Sequence, residues 1–286
     1  MKNLRTSLFT SISIFLLFSI YTAFAANIPN NAPYPGGIAV VPLSVQSAKE
    51  PKVYFNQRRV LVKKDNSKWV AIVGLPLAAK AGIHQLRVKR NYGKSLKVTF
   101  DVKAKRYPLR HITIKDKSKV TPNPQLAKRI RAQTKQMRAL LSKWNYTSAV
   151  PTAFILPVKG RLSSGFGIRR IYNKVKRGRH TGLDIAAPTG TAIVAAANGR
   201  VLAVHDYVIT GNTVFVDHGQ GLVTYYCHMN STVVKPGERI TQGEKLGTVG
   251  STGRVTGPHV HWGVVLNGVK VNPLLFVSHD LKRDGA

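Results

Sequence analysis

The chain has 286 residues, 43% of them hydrophobic, which is length enough for two domains with separate cores. It carries 44 lysines and arginines against 11 acids, a formal charge of +33, and one cysteine, Cys227. A single cysteine excludes an internal disulfide and a cysteine-based zinc knuckle, and a charge this large draws the protein to a polyanion.

Lys2 and Arg5 precede an apolar stretch that ends in Ala23-Phe24-Ala25. This is the pattern of an export signal cleaved after residue 25. An uncleaved anchor is the alternative, and both place the bulk of the chain outside the cytoplasm, in the periplasm or at the cell wall. No lipid-attachment cysteine follows, and no later segment is apolar for long enough to span a bilayer. Without Lys2 and Arg5, 42 basic residues face 11 acids, a net charge of +31. Nucleic acid is the usual partner of such a charge. Export argues against it and turns the expectation to anionic wall polymers and lipid head groups.

Residues 26–35 are rich in Pro and Asn and read as a flexible leader. Five short runs follow: GIAVVPLSV, KVYFNQRRVLVKK, KWVAIVGLPL, GIHQLRVKR and SLKVTFDVKAK. Their strand character and frequent turn residues predict a small β-sandwich within an accessory domain over 36–120. His84 stands alone there and reads as structural. Residues 121–150 carry a linker helix. Asn123 is the candidate N-cap and Pro124 the first helical residue, and Leu126, Ile130, Met137, Leu141 and Trp144 recur at helical spacing. A membrane-surface helix is the alternative reading. Residues 151–280 return to glycine-rich β signals and hold seven of the nine histidines, with 281–286 as a tail. The fold class is therefore mainly β, a sandwich and an antiparallel β domain joined by an amphipathic helix.

The stretch GPHVHWG places His259 and His261 two apart in a strand, so both project from one face. Two such imidazoles can share a metal, or one can bind it while the other works beside it. The stretch HTGLDIAAP adds His180 and Asp184, with Gly182 between them to let the backbone turn closely. A catalytic zinc takes three protein ligands and one open position. His180, Asp184 and one of the HxH pair supply three. The other, with His228 in YYCHM, remains as a nearby base. The only glutamates, Glu50, Glu238 and Glu244, adjoin no histidine, and there is no HExxH. Histidine must then fill the role that glutamate plays in most zinc peptidases. There is no G-x-S-x-G serine elbow. Cys227 adjoins His228, but strand neighbours face opposite ways, so it reads as a small buried residue.

The order H-x-G-x-D (His180, Gly182, Asp184), GNTV…DHG (Gly211, Asn212, Asp217, His218), Y-x-H (Tyr226, His228) and GPHVHW resembles the lysostaphin-type, LytM-domain zinc endopeptidases of bacterial cell walls. The resemblance covers roughly residues 153–277. It implies the antiparallel β catalytic fold of the duplicated-hybrid-motif type and a groove for peptidoglycan. It implies one Zn2+ held by His180, Asp184 and His261, with His228 and His259 catalytic. The expected function is an exported zinc endopeptidase cutting peptide cross-links or bridges. The alternative is a non-catalytic or latent wall-binding regulator of the amidase-activator type. The expected partners are peptidoglycan and anionic wall polymers, with no nucleic acid and no membrane span after signal cleavage. Asn230 stands where family members often have Ser. The basic stretch RRIYNKVKRGRH before His180 reads as a loop that grips an anionic ligand or is merely solvated. His205 and His279 read as structural, and His218 as a support of the site.

Overall fold

A computed structural model describes residues 28–90 and 94–278. The expected signal, His279 and the tail lie outside the described residues. Among the described residues, no helix is long and apolar enough to cross a membrane.

Seven strands come first: β1 (Ile38–Pro42), β2 (Lys52–Phe55), β3 (Arg58–Arg59), β4 (Leu61–Asp65), β5 (Lys68–Gly74), β6 (Gly82–Lys89) and β7 (Leu96–Val102). They form two antiparallel sheets, β1-β5-β4 and β3-β2-β6-β7. Val41, Val62, Ala71 and Val73 of one meet Val53, Leu86 and Val88 of the other in a shared core. This is the expected sandwich. The run 52–64 is not one strand, because Asn56 and Gln57 both adopt positive φ (46° and 65°). Such two-residue turns match the twist of the strands they join. The unbroken apolar run of β5 has a further cause. Ala71 and Val73 face the sandwich core, while Val70 and Ile72 face the other way and join the core of the second half. A strand buried on both faces loses its polar alternation.

Next come β8 (Leu109–Ile112) and α1 (Pro124–Leu141). The Asn123 side chain accepts from the Leu126 amide at 2.8 Å, and Pro124 occupies the first turn. The helix stops at Leu141, short of Trp144.

The second half holds β9 (Arg161–Ser164), β10 (Arg169–Tyr172), β11 (Val175–Arg179), β12 (Leu183–Ala186), β13 (Ala192–Val194), β14 (Gly199–Tyr207), β15 (Gly211–Gly219), β16 (Leu222–Thr232), β17 (Arg239–Ile240), β18 (Lys245–Val249), β19 (His259–Leu266) and β20 (Val269–Val271). The backbone of the large sheet runs β17-β14-β15-β16-β19-β12-β9, with β18 on β16, β13 on β18 and β20 on β19. One face packs Val214, Val216, Tyr226, Val260, Trp262 and Val264 into the main core. The opposite face carries Phe215, Val223, Tyr225, Cys227 and Val265, covered by Met137, Leu140 and Leu141 of α1.

Two expectations change here. The basic stretch before His180 is not a loop but the hairpin β10–β11, turned at Asn173 and Lys174 with φ of 47° and 67°. β8 then adds to it in parallel, binding residues 109–112 to the second half. Residues 28–35, expected to be a flexible leader, are strapped down. The Asn30 amide donates to the Leu275 carbonyl at 2.8 Å, Ala32 bridges Ile38, and the Tyr107 hydroxyl donates to the Pro35 carbonyl at 2.7 Å. The leader's free amides and carbonyls find partners at the start of β1 and near the C-terminus, which local composition does not reveal.

Candidate metal centre and its cleft

Strand register builds the site. β12 pairs antiparallel with β19 so that Asp184 sits directly opposite His261. Residues that face each other across a ladder share one side of the sheet. His180 precedes β12 and is buried at its entrance. Gly182 is needed for space: a Cβ there meets the Trp262 carbonyl at 2.5 Å and the His261 ring at 2.7 Å.

Three donor atoms converge. His180 Nε2 lies 2.9 Å from Asp184 Oδ1 and 3.0 Å from His261 Nδ1. His261 Nδ1 lies 2.7 Å from the same carboxylate oxygen. These separations approach the edge of a tetrahedron drawn at zinc–nitrogen bond lengths, about 3.3 Å. The His180 Nδ1–H donates to the Gly165 carbonyl at 2.7 Å. A neutral His180 therefore has no proton left on Nε2 and faces the carboxylate with a lone pair. A shared cation resolves that repulsion. Two imidazole nitrogens and a carboxylate oxygen are donors that suit zinc, so the residues present fit the ion.

The electrostatics agree with that fit. Burial raises the Asp184 pKa, but the neighbouring His180 and His261 outweigh it and hold the carboxyl well below the usual carboxylate range. Burial pushes His261 down to about 4, against the pull of Asp184. The second carboxylate oxygen is not idle. Arg170 on β10 donates to Asp184 Oδ2 at 2.6 Å and also reaches Ser164 Oγ at 2.8 Å and Tyr172 at 3.1 Å.

His259 and His228 stand beside this trio. His259 Nδ1 donates to the Gly257 carbonyl at 2.9 Å and His228 Nδ1 to the Thr252 carbonyl at 2.8 Å. Each ring thus keeps its Nε2 lone pair for another partner. Their centroids are 4.8 Å apart. Burial, reinforced by His259 and His261, drives His228 down to about 3, so it is neutral at pH 7. His228 reaches this side of the sheet by breaking the alternation of its strand. Its φ is +64°, beside a register shift between β15 and β16. Bulges re-aim a side chain in this way. Cys227 consequently shares this side with its neighbour, yet it is buried within the apolar group under α1. Its thiol is pushed up to about 12 by burial.

The other histidines stay apart from the trio. His218 is buried, bonded to the Asn198 carbonyl and Thr224 and packed on Phe154. His205 meets Gln136 of α1, and His84 packs against the touching rings of Phe55 and Phe100.

A cleft of about 520 Å³ opens over the site. Arg170, Arg179, Arg254 and Lys270 line it with His180, His228 and His261, and Ile130, Gln133, Thr134 and Met137 of α1 form a wall. The sequence points to Arg170 only as part of the basic stretch before His180, and to the helix only as a linker. Arg170 is one of 44 basic residues with no motif of its own.

Comparison with known proteins places these features in context. The model of peptidase family M23 matches residues 178–273, and that of the family's N-terminal domain matches residues 31–105. Peptidoglycan DD-endopeptidase ShyA of Vibrio cholerae is 38% identical over 117 residues, 41% of this chain and 27% of that protein. Peptidoglycan DD-endopeptidase ShyC of the same organism is 42% identical over 116 residues, 40% of this chain and 26% of that protein. The chain thus matches only about a quarter of the length of either. A crystal structure from Pseudomonas aeruginosa assigned to peptidase M23 matches far more: 36% identity, a TM-score of 0.72, 86% of this chain and 95% of that one. A match over that much of both chains shows the family, and the chain belongs to peptidase family M23.

Proposed function

We propose that the protein is an exported zinc endopeptidase that hydrolyses peptide cross-links of bacterial peptidoglycan. The observation that carries this reading is the convergence of His180 Nε2, Asp184 Oδ1 and His261 Nδ1, with two further imidazoles presenting bare Nε2 atoms beside them. The names of the two Vibrio relatives support peptidoglycan as the substrate.

His180, Asp184 and His261 would hold Zn2+, which when bound supplies a Lewis acid for the scissile carbonyl and for an attacking water. His228 or His259 accepts the water proton at Nε2 and passes it to the leaving amine. The second imidazole accepts a hydrogen bond from the same water at its own Nε2 and so orients it for attack. The carbonyls of Thr252 and Gly257 fix both tautomers, so neither ring must reorient during turnover.

The test is digestion of purified peptidoglycan by the mature protein beside His259→Ala, with zinc measured in both and products identified by mass. Wild type should remove cross-linked dimers. The variant should hold equal zinc and lose at least about a hundredfold in rate. Full activity in the zinc-loaded variant would overturn the role given to His259. Alanine at His180, Asp184 or His261 should instead cost the metal.

A further inference from the structure

Lys270 lies outside the metal trio and its two companion histidines, yet the sheet aims it at them. It pairs with Val265 across β19–β20, and Val265 lies four residues along β19 from His261. With a period of two, His259, His261, Gly263 and Val265 project from one side, and Lys270 shares that side. Gly263 leaves the space in this row that the Tyr225 ring fills: a Cβ there would meet that ring at 2.0 Å. The Lys270 ammonium sits 5.5 Å from the centroid of the same ring and 3.3 Å from Thr181 Oγ1, beside His180. The Tyr225 ring is in turn 5.8 Å from that of His261.

The ammonium is poorly compensated. It makes no ion pair among the described residues. Burial pulls its pKa below the ordinary lysine value. Among the described residues, no acid lines the cleft. The oxygens of Asp184, the acid of the site, are taken up by His180, His261 and Arg170. A half-buried cation without a counter-ion costs free energy unless a ligand supplies one.

We propose that Lys270 is a specificity residue that binds a carboxylate of the peptide substrate close to the scissile bond. The proposal deepens the endopeptidase reading and rests on it. Steps of 5.5 and 5.8 Å through the Tyr225 ring limit the distance from Lys270 to His261. That span is no more than about three residues of extended peptide. The cleft therefore suits direct cross-links bearing carboxylates, and an uncharged glycine bridge leaves Lys270 without a partner. The carboxylate has two possible sources: the side-chain carboxyl beside the cross-link, or the terminal carboxyl of the donor or acceptor strand.

Three synthetic cross-linked peptide dimers separate these sources: one with all carboxyls free, one amidated at the side chain, one amidated at the terminus. Cleavage is followed with the full zinc-loaded chain as wild type, Lys270→Gln and Lys270→Arg. Binding of the same dimers is measured in parallel in a His259→Ala background, where little is consumed. One amidation should lower wild-type kcat/KM at least tenfold and so name the source. Lys270→Gln should lose about tenfold on the free dimer and nothing on that amide, while Lys270→Arg keeps the preference. Equal wild-type cleavage of all three dimers overturns the proposal, and so does an equal loss by Lys270→Gln on free and amidated forms. If nothing is cleaved but binding shows the Lys270-dependent preference, the anchor stands and the endopeptidase reading falls. If binding shows no preference, the anchor falls whether or not cleavage occurs.

Discussion

Arg170 shows how one side chain sets the character of the centre. It donates to the carboxylate oxygen that faces away from the two imidazoles, and Ser164 and Tyr172 hold its guanidinium in place. The effect is to orient Asp184 so that Oδ1 alone points at His180 and His261. Outer partners of this kind are commonly worth 10- to 100-fold in metal affinity. Arg170→Met should therefore weaken zinc binding by roughly that factor, measured by competition with a chelator, while the protein stays folded. Unchanged affinity would mean that Asp184 is held by its backbone alone. The His228 ring is placed by a different device, a left-handed backbone within strand β16. That conformation costs about 1 kcal/mol or more for a residue with a Cβ.

Hairpins and strand ends carry their own expectations. The β4–β5 turn has Ser67 at φ 67°, exposed at the tip. Glycine adopts that backbone at no steric cost. Ser67→Gly should stabilise the chain by about 0.5–1 kcal/mol, read as a higher Tm with activity unchanged. At the end of β15, His218 is buried and its pKa is lowered to about 4 from an ordinary 6.5. The unfolded chain takes up this proton first, so the contribution is complete above about pH 6.5 and is lost as pH falls toward 4. The full swing is about 3 kcal/mol. Denaturant unfolding at pH 7 and pH 4.5 should show wild type losing more stability than His218→Gln. Equal losses would place the acid sensitivity elsewhere.

At the scale of the molecule, the two halves share a core. Ile38, Leu61, Val70 and Ile72 of the sandwich sheets pack in one cluster with Leu222, Trp262 and Leu266 of the large sheet. Buried amides stitch the same boundary. Gln220 accepts from the Val62 amide at 3.1 Å and donates to Glu50 and to the Thr147 carbonyl. Asn267 accepts from the Gly74 amide at 2.8 Å. Removing the Gln220 side chain strands a buried amide, a loss of about 1–3 kcal/mol. Gln220→Ala should lower the Tm of both halves together in a single transition, followed by calorimetry. Two separated transitions in wild type would mean that the halves fold independently.

Much of this was legible locally. The Asn123-Pro124 helix start, the strands of the sandwich and the shared side of His259 and His261 follow from capping and from the period of two, which act over a few residues. The grouping of His180 and Asp184 with the HxH pair was legible as chemistry, because few residue types ligate a metal. Four features were decided only by tertiary structure: the strapping of residues 28–35, the aim of His228, the grip of Arg170 on Asp184, and the placing of α1 and Lys270 along the cleft. Each depends on register or packing between segments far apart in the chain. His180 and His261 are 81 residues apart, and Gln220 lies 158 residues from its partner Val62. No local pattern encodes such a distance. The sheet sets it by pairing β12 with β19, and the shared core sets it by burying both faces of β5.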